Sequence, residues 1–483
     1  MTPILPVSLV LALAVPFGAL AAGPSLPSST PSELAALRQE IDAMRTAYEA
    51  RLQALEQRLK TAEAAAVPSA ASGVPVAAVA PVAPVAPVAT AALPDASPSL
   101  APSAAASAGG ANAFNPAMSL ILSGLYTRSS KDPANYAITG FPLPPGAEVG
   151  PGARGLSLTE SELGFAASID PWWRGAANIA LHPDNTVSVE EAFIQTTALG
   201  NGLSLKAGRF FSGVGYLNPQ HAHTWDFVDN PLAYQAMLGT QYGDDGLQLN
   251  WLAPTDQYIE LGAELGRGRS FPGTDTGRNG AGMTALMAHT GGDIGASHSW
   301  RTGVSVLSTK ATDQSLLATN AAGDQVTNAF SGNTRVWVVD AIWKWAPNGN
   351  ATRTSFKLQG EYLRSTRSGN LVDVGKADSS GAYRATPSGW YLQGVYQFLP
   401  QWRVGLRTER LDAGTPDYGL NAAAFADSGY RPAKNTLMLD FNASEFSRVR
   451  LQFAQDRSRQ GSTDNQLFLQ YQMSLGAHGA HNF

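Results

Sequence analysis

The chain has 483 residues, with 38 acidic and 33 basic side chains for a net charge of -5, and it contains no cysteine. That balance leaves no basic footprint for nucleic acid, and the missing cysteines exclude disulfides and thiolate metal sites. Composition shifts along the length, from an Ala/Pro/Val-rich first quarter to a body rich in Gly, aromatic and polar residues.

The opening "MTPILPVSLVLALAVPFGALAAG" is an apolar run ending in Ala19-Leu20-Ala21, the pattern a signal peptidase accepts, so residues 1–22 are expected to be an export signal. An anchor helix is the alternative, but the run is short and cut by Pro16 and Gly18. No later segment reaches the ~18 uninterrupted apolar residues of a membrane helix. Thr30 and Glu33 then make a capping box around Pro31. From there Leu34, Leu37, Ile41, Met44, Tyr48, Leu52, Leu55, Leu59 and Ala62 recur at spacings of three and four. This seam predicts a helix over 30–63, either a short coiled coil or a single amphipathic helix docked elsewhere. Residues 64–112 repeat Ala-Pro-Val with a single charge, Asp95, and are expected to form an extended, semi-rigid linker.

From residue 113 to 483 the dominant period is two. In "QLFLQYQMSL" Leu467, Leu469, Tyr471, Met473 and Leu475 share one face, and Gln466, Gln470, Gln472 and Ser474 the other. A soluble sandwich would alternate in the same way. Aromatics beside short turns ("DPWW", "NWLAP", "WKWAP", "FLPQW") and strands of about ten residues suit a bilayer crossing instead. Strands cross lipid only as a closed barrel, because an open edge leaves backbone groups unpaired. The expected fold is therefore all-β, a transmembrane antiparallel β-barrel of about 16 strands. The expected spans are 116–127, 156–169, 172–182, 187–199, 203–212, 245–253, 257–266, 282–291, 296–309, 333–346, 352–366, 386–399, 401–411, 434–443, 446–458 and 464–475. Even-numbered connections are tight and odd ones mostly long, the asymmetry of periplasmic turns and external loops.

A barrel this wide keeps an aqueous lumen unless something narrows it. The inward pattern makes Glu160, Glu162, Asp340, Lys357, Arg403, Arg407, Asp440, Arg448 and Arg450 candidate pore-lining residues. The longest outward connection, 213–244, contains "HAHTWDFVDNPLAY", too aromatic for a solvated tip, and is expected to fold inward as a constriction with Trp225, Asp226 and Asp229. Its acids would either set up a field against the arginine wall or pair with it. His221 and His223 are either ordinary loop histidines or a metal site with Asp226 or Asp229, and His182 is a third possible ligand. His478 and His481 fall on the periplasmic side and cannot join them.

The strings "FNPAMSLILSG", "SLTESELGFAASIDPWWRG", "VEEAFIQTTAL", "GRFFSGVGYLNPQHAHTWDFVDNPLAYQA", "QYGDDGLQLNWLAPTD" and "SLGAHGAHNF" resemble a proteobacterial outer-membrane β-barrel family often labelled zinc-regulated TonB-dependent outer-membrane receptor. That resemblance, over 113–483, implies a bacterial outer-membrane location and brings in zinc as regulator or cargo. The architecture is also similar to sixteen-stranded porins with an N-terminal coiled coil in the periplasm.

The expected function is a porin-like channel for small polar solutes or ions, trimeric, with lipid around it and no required cofactor beyond a possible zinc. A zinc-binding receptor needing an energy-coupling partner and a structural tether are the alternatives. An enzyme is not expected, since neither a nucleophile elbow nor a His-Glu-x-x-His helix occurs.

Overall fold

The computed structural model describes residues 116–476 apart from 160, 275–276, 278, 321–324, 376–379 and 423–428. The expected export signal, the 30–63 helix, the linker, Glu160, His478 and His481 lie outside the described residues.

Eighteen β-segments form one antiparallel sheet that closes on itself, because β1 (Ala117–Ser129) pairs with β18 (Asp464–Gly476) on one side and with β2 (Gly155–Leu158) and β3 (Ser161–Ser168) on the other. Both β13 (Gly381–Ala385) and β14 (Ser388–Leu399) pair with β12 (Ser355–Asp373). Each of these two pairs is one interrupted strand, so the barrel has 18 − 2 = 16 strands. The remainder are β4 (Trp173–Leu181), β5 (Val187–Thr196), β6 (Leu203–Phe211), β7 (Gly243–Leu252), β8 (Tyr258–Gly266), β9 (Met283–Ile294), β10 (His298–Thr319), β11 (Gln325–Trp345), β15 (Trp402–Asp412), β16 (Ala433–Ser444) and β17 (Ser447–Arg457). All sixteen expected spans have a counterpart, in the expected order.

The facing is settled by accessibility. Leu469 is 47 % exposed while its neighbour Gln470 is 7 % exposed, so the apolar set faces out. Leu249, Leu261, Val304, Val339, Leu392, Leu437 and Leu451 are exposed in the same sense on other strands. Soluble proteins rarely show apolar patches beyond a few hundred Å². A belt around the whole barrel is a lipid surface, and the sandwich alternative falls. Aromatics mark the tight-turn end, where Trp402 meets Phe441 (ring centroids 4.8 Å) and Trp343 meets Phe356 (5.8 Å). Trp337 lies eight residues up β11 from Trp345, roughly 20 Å along the axis after tilt, close to the apolar band of a barrel.

Three strands depart from expectation. β10, β11 and β12 run for 22, 21 and 19 residues, well past the expected ends at 309, 333 and 366. Their outer parts bury Ala311, Leu316, Phe330 and Leu371 against Tyr383 and Ala385, with Phe271 and Tyr418 packed on them. Pairing therefore continues where lipid no longer dictates the pattern.

Two outward connections turn inward. Residues 130–154 contribute Ile138, Phe141 and Leu143, and residues 212–242 contribute Val214, Leu217, Trp225 and Leu232, to one buried cluster with the wall residues Met283, Leu307, Val336, Leu363, Tyr391 and Leu411. Inside this barrel the core is made by loops meeting wall.

Candidate functional site

The loop 212–242 is the longest connection among the described residues. A buried loop must find partners for its backbone groups, and here inward side chains of the wall supply them. The amides of Tyr216 and Leu217 donate to Glu361 at 3.0 Å each, and that of Gly215 donates to Ser305 Oγ at 2.9 Å. The amide of Val228 donates to Gln452 Oε1 (2.8 Å), and Arg450 donates to the Trp225 carbonyl (2.8 Å). The helix α1 (Leu232–Leu238) is buried along its whole length and ends on Gly239 in the left-handed region at φ 65°, where glycine bears no Cβ penalty. Tyr234 of α1 and Tyr391 of β14 both donate to Glu361, at 2.8 and 2.6 Å.

The loop's acids are docked on cations. Asp226 lies 2.5 Å from Lys357 Nζ and 3.5 Å from Arg403 Nη1, and Asp229 is 2.8 Å from Arg407 Nη2 and also pairs with Lys434. Burial pushes both carboxyls up, but Lys357 and Arg403 beside Asp226, and Lys434 and Arg407 beside Asp229, hold them below the usual carboxylate range. Behind them Asp440 bridges Arg403 (2.5 Å) and Arg450 (2.8 Å). Arg448 donates to the His223 carbonyl (2.9 Å) and to Gln472 (2.6 Å). Of the two arrangements considered for these charges, distances select direct ion pairing. Asp340 sits fully buried on the inner face of β11, on one rung with Gly303 and His289.

The histidines dock on acids. His221 is 4 % exposed, with Nδ1 3.3 Å from Glu162 Oε2 and 3.4 Å from Glu190 Oε2, and with Nε2 2.9 Å from Glu191 Oε2. His223 Nδ1 donates to the same Glu162 Oε2 at 2.9 Å, and the two imidazoles stack at 5.7 Å. Burial drives the His221 pKa down, but Glu162, Glu190 and Glu191 outweigh it and hold it well above the usual histidine value.

The expected partners of the histidines need correction. Asp226 and Asp229 are committed to lysines and arginines, so neither is the third group. His182 sits partly exposed in the β4–β5 turn, bonded to Ser188 Oγ at 2.7 Å, and the groups that meet His221 are wall carboxylates. Asp244, which the expected bounds 213–244 put at the end of the loop, belongs to β7 together with Asp245.

Glu190 and Glu191 were not legible from alternation, which would send one of two neighbours into lipid. The pairing of β4 with β5 slips between Asn178↔Glu191 and Ile179↔Val189, leaving Glu190 as the extra residue of a bulge. The bulge lets consecutive glutamates reach the same interior cluster. The signal available in sequence was the cost of an outward glutamate at the membrane.

No family model matches the chain. An "Uncharacterized protein" of Aquifex aeolicus (strain VF5) is 30 % identical over 351 residues, covering 68 % of this chain and 70 % of that one. The chain belongs to that protein's family. Among solved structures, in-vitro folded OmpT, an outer membrane protein of Vibrio cholerae, covers 76 % of this chain and 99 % of its own at 9 % identity and TM-score 0.47. The anion-selective porin from Comamonas acidovorans covers 74 % and 99 % at 10 % identity and TM-score 0.45. The outer membrane channel DcaP of Acinetobacter baumannii covers 75 % and 97 % at 13 % identity and TM-score 0.44.

Proposed function

We propose that the protein is a channel of the bacterial outer membrane for small polar solutes or ions, narrowed by its own loop 212–242. One observation carries the reading: a closed sixteen-stranded barrel, wide enough for an aqueous lumen, holds a long loop against the inner wall through charged and polar side chains. Water-sized space reaches the inward-facing Lys357 and Arg403, which stay 27 % and 23 % exposed beside the loop. Solutes crossing at that level meet guanidinium, ammonium and amide groups rather than apolar wall.

Energised transporters of this membrane are 22-stranded with a plugged lumen, so sixteen strands favour passive passage over the receptor reading. The assembly we propose is a homotrimer surrounded by lipid, with the segment before the barrel in the periplasm. Zinc as regulator or cargo is a separate matter from passage of solute.

Planar-bilayer recording of the purified chain tests the reading. The expected result is discrete conductance steps, and a larger step when residues 219–229 are deleted. A barrel that inserts without conducting overturns the channel, and a deletion that leaves the step unchanged removes the loop from the constriction.

A further inference from the structure

The cluster around His221 contains chemistry that holding a loop in place does not require. Glu162 on β3, Glu190 at the β5 bulge and His221 on the loop each offer one ligand atom, and these atoms all lie within 4.8 Å of one another. Two of those atoms, His221 Nδ1 and Glu190 Oε2, are buried and make no hydrogen bond. Buried polar atoms left without a hydrogen bond are costly and call for a reason.

Geometry supplies one. Ligands bonded to zinc at 2.0–2.1 Å in a tetrahedron lie about 3.3 Å from one another. The spacings from Nδ1 to the two carboxylate oxygens are 3.3 and 3.4 Å. These are too long for good hydrogen bonds and right for the edges of a metal's coordination shell.

The surroundings agree. His221 Nε2 lies 2.9 Å from both Glu191 Oε2 and the Asn178 side-chain amide nitrogen, and since a carboxylate can only accept, the contact with Glu191 calls for a proton on Nε2. A metal ion would take the place of the proton on Nδ1, the ring nitrogen that faces Glu162 and Glu190. Metal-bound histidines are commonly oriented by a carboxylate on their other nitrogen in this manner. His223 also contacts Glu162 Oε2, at 2.9 Å. Three carboxylates face two imidazoles, so acidic groups outnumber basic ones in the cluster, a surplus that a cation can offset.

We infer that Glu162, Glu190 and His221 form a binding site for a divalent first-row metal ion of the zinc class, with Glu191 and His223 as supporting groups. Imidazole with carboxylate suits zinc, cobalt or nickel better than calcium or magnesium, which prefer all-oxygen shells. Two ligands lie on the wall and one on the loop, so an ion in this site fastens the loop to the barrel. The site stands without the channel reading; its consequence for the pore rests on it.

The test uses the full chain, purified in detergent and stripped with a chelator. Zn²⁺ alone is titrated against a chromophoric competitor, and Co²⁺ is added separately to read the ligand field by visible absorption. The expected stoichiometry is one ion per chain. Glu191→Gln is expected to weaken binding roughly 10–100-fold, the usual effect of losing an outer-shell partner. Glu190→Gln and His221→Ala are each expected to weaken it at least as much, with loss of the cobalt spectrum. His182→Ala, at a partly exposed histidine outside the cluster, should bind as the parent does. Heat-modifiable gel migration identifies variants that fold, and Glu190→Gln is the conservative one. The site is overturned if the parent binds no stoichiometric zinc, or if binding survives both Glu190→Gln and His221→Ala, or if His182→Ala abolishes it. Because binding is read without current, a chain that binds zinc but never conducts overturns the channel and keeps the site. A chain that conducts but binds no zinc does the reverse.

Discussion

The loop 212–242 is held at two flanks of opposite polarity. On one, loop acids Asp226 and Asp229 meet wall cations Lys357, Arg403, Arg407 and Lys434. On the other, loop imidazoles His221 and His223 meet wall acids Glu162, Glu190 and Glu191. The first flank is complete: each loop charge has permanent partners of opposite sign. The second has more carboxylates than its histidines can neutralise without taking up a proton or an ion. One flank is thus a fixed attachment, and the other is conditional on what occupies it.

If that contrast is right, the largest effect should come from the fixed flank. Asp229→Ala leaves Arg407 and Lys434 buried together without their shared partner, which should destabilise the barrel by about 3–5 kcal/mol. A denaturant midpoint checks this. His221→Ala should cost less, because carboxylates left behind can take up protons; an equal or larger loss would reverse the ranking.

A smaller effect is expected at the joint between loop and wall. Gly215 has φ of +71°, and an added Cβ would lie 2.4 Å from Glu361 Oε2 and 2.6 Å from the Tyr234 hydroxyl. Gly215→Ala should cost about 1–3 kcal/mol and expose the loop to protease. Undiminished protection would show that the Glu361 anchorage can shift freely.

Acid separates the flanks without mutation. Asp226 and Asp229 have carboxyl pKa values below the unfolded-chain value of about 3.9. A depressed pKa contributes stability that is full above the unfolded value and is lost as pH falls through the folded one. Hydrogen-exchange protection of the amides near Asp226 and Asp229, corrected for intrinsic rate, should hold from pH 7 to 5 and fail only in stronger acid. Failure already at pH 6 would mean these acids are not what fastens the loop.

The smallest effect is expected at His182, partly exposed in the β4–β5 turn. His182→Ala should stay within roughly 0.5 kcal/mol of the parent by the same denaturant assay, and a clear loss would bring that turn back into the site.

Much of this was legible in the residues. A side-chain period of two admits only two facings, and lipid penalises the wrong one, so Leu469 and Gln470 fall on opposite sides with little room for error. The aromatic loop declared itself too, since Trp225, Phe227, Leu232 and Tyr234 need burial wherever the chain goes. The long outer hairpins were less legible: beyond the membrane no lipid enforces alternation, and β10 to β12 continue because neighbouring loops cover them.

What composition and periodicity left open was pairing between distant residues. Glu190 reaches the inside only because one extra residue slips into the β4–β5 ladder, and His221 finds it from 31 positions further along the chain. Likewise Asp229 could have faced solvent, a histidine or an arginine; its choice of Arg407 and Lys434 depends on which strands the barrel brings beneath the loop. Facing is a local property, set by two-residue alternation and the solvent on each side, so a single strand's residues suffice to specify it. Contact across the lumen depends on closure, register and one bulge together, and no short stretch of chain carries all three.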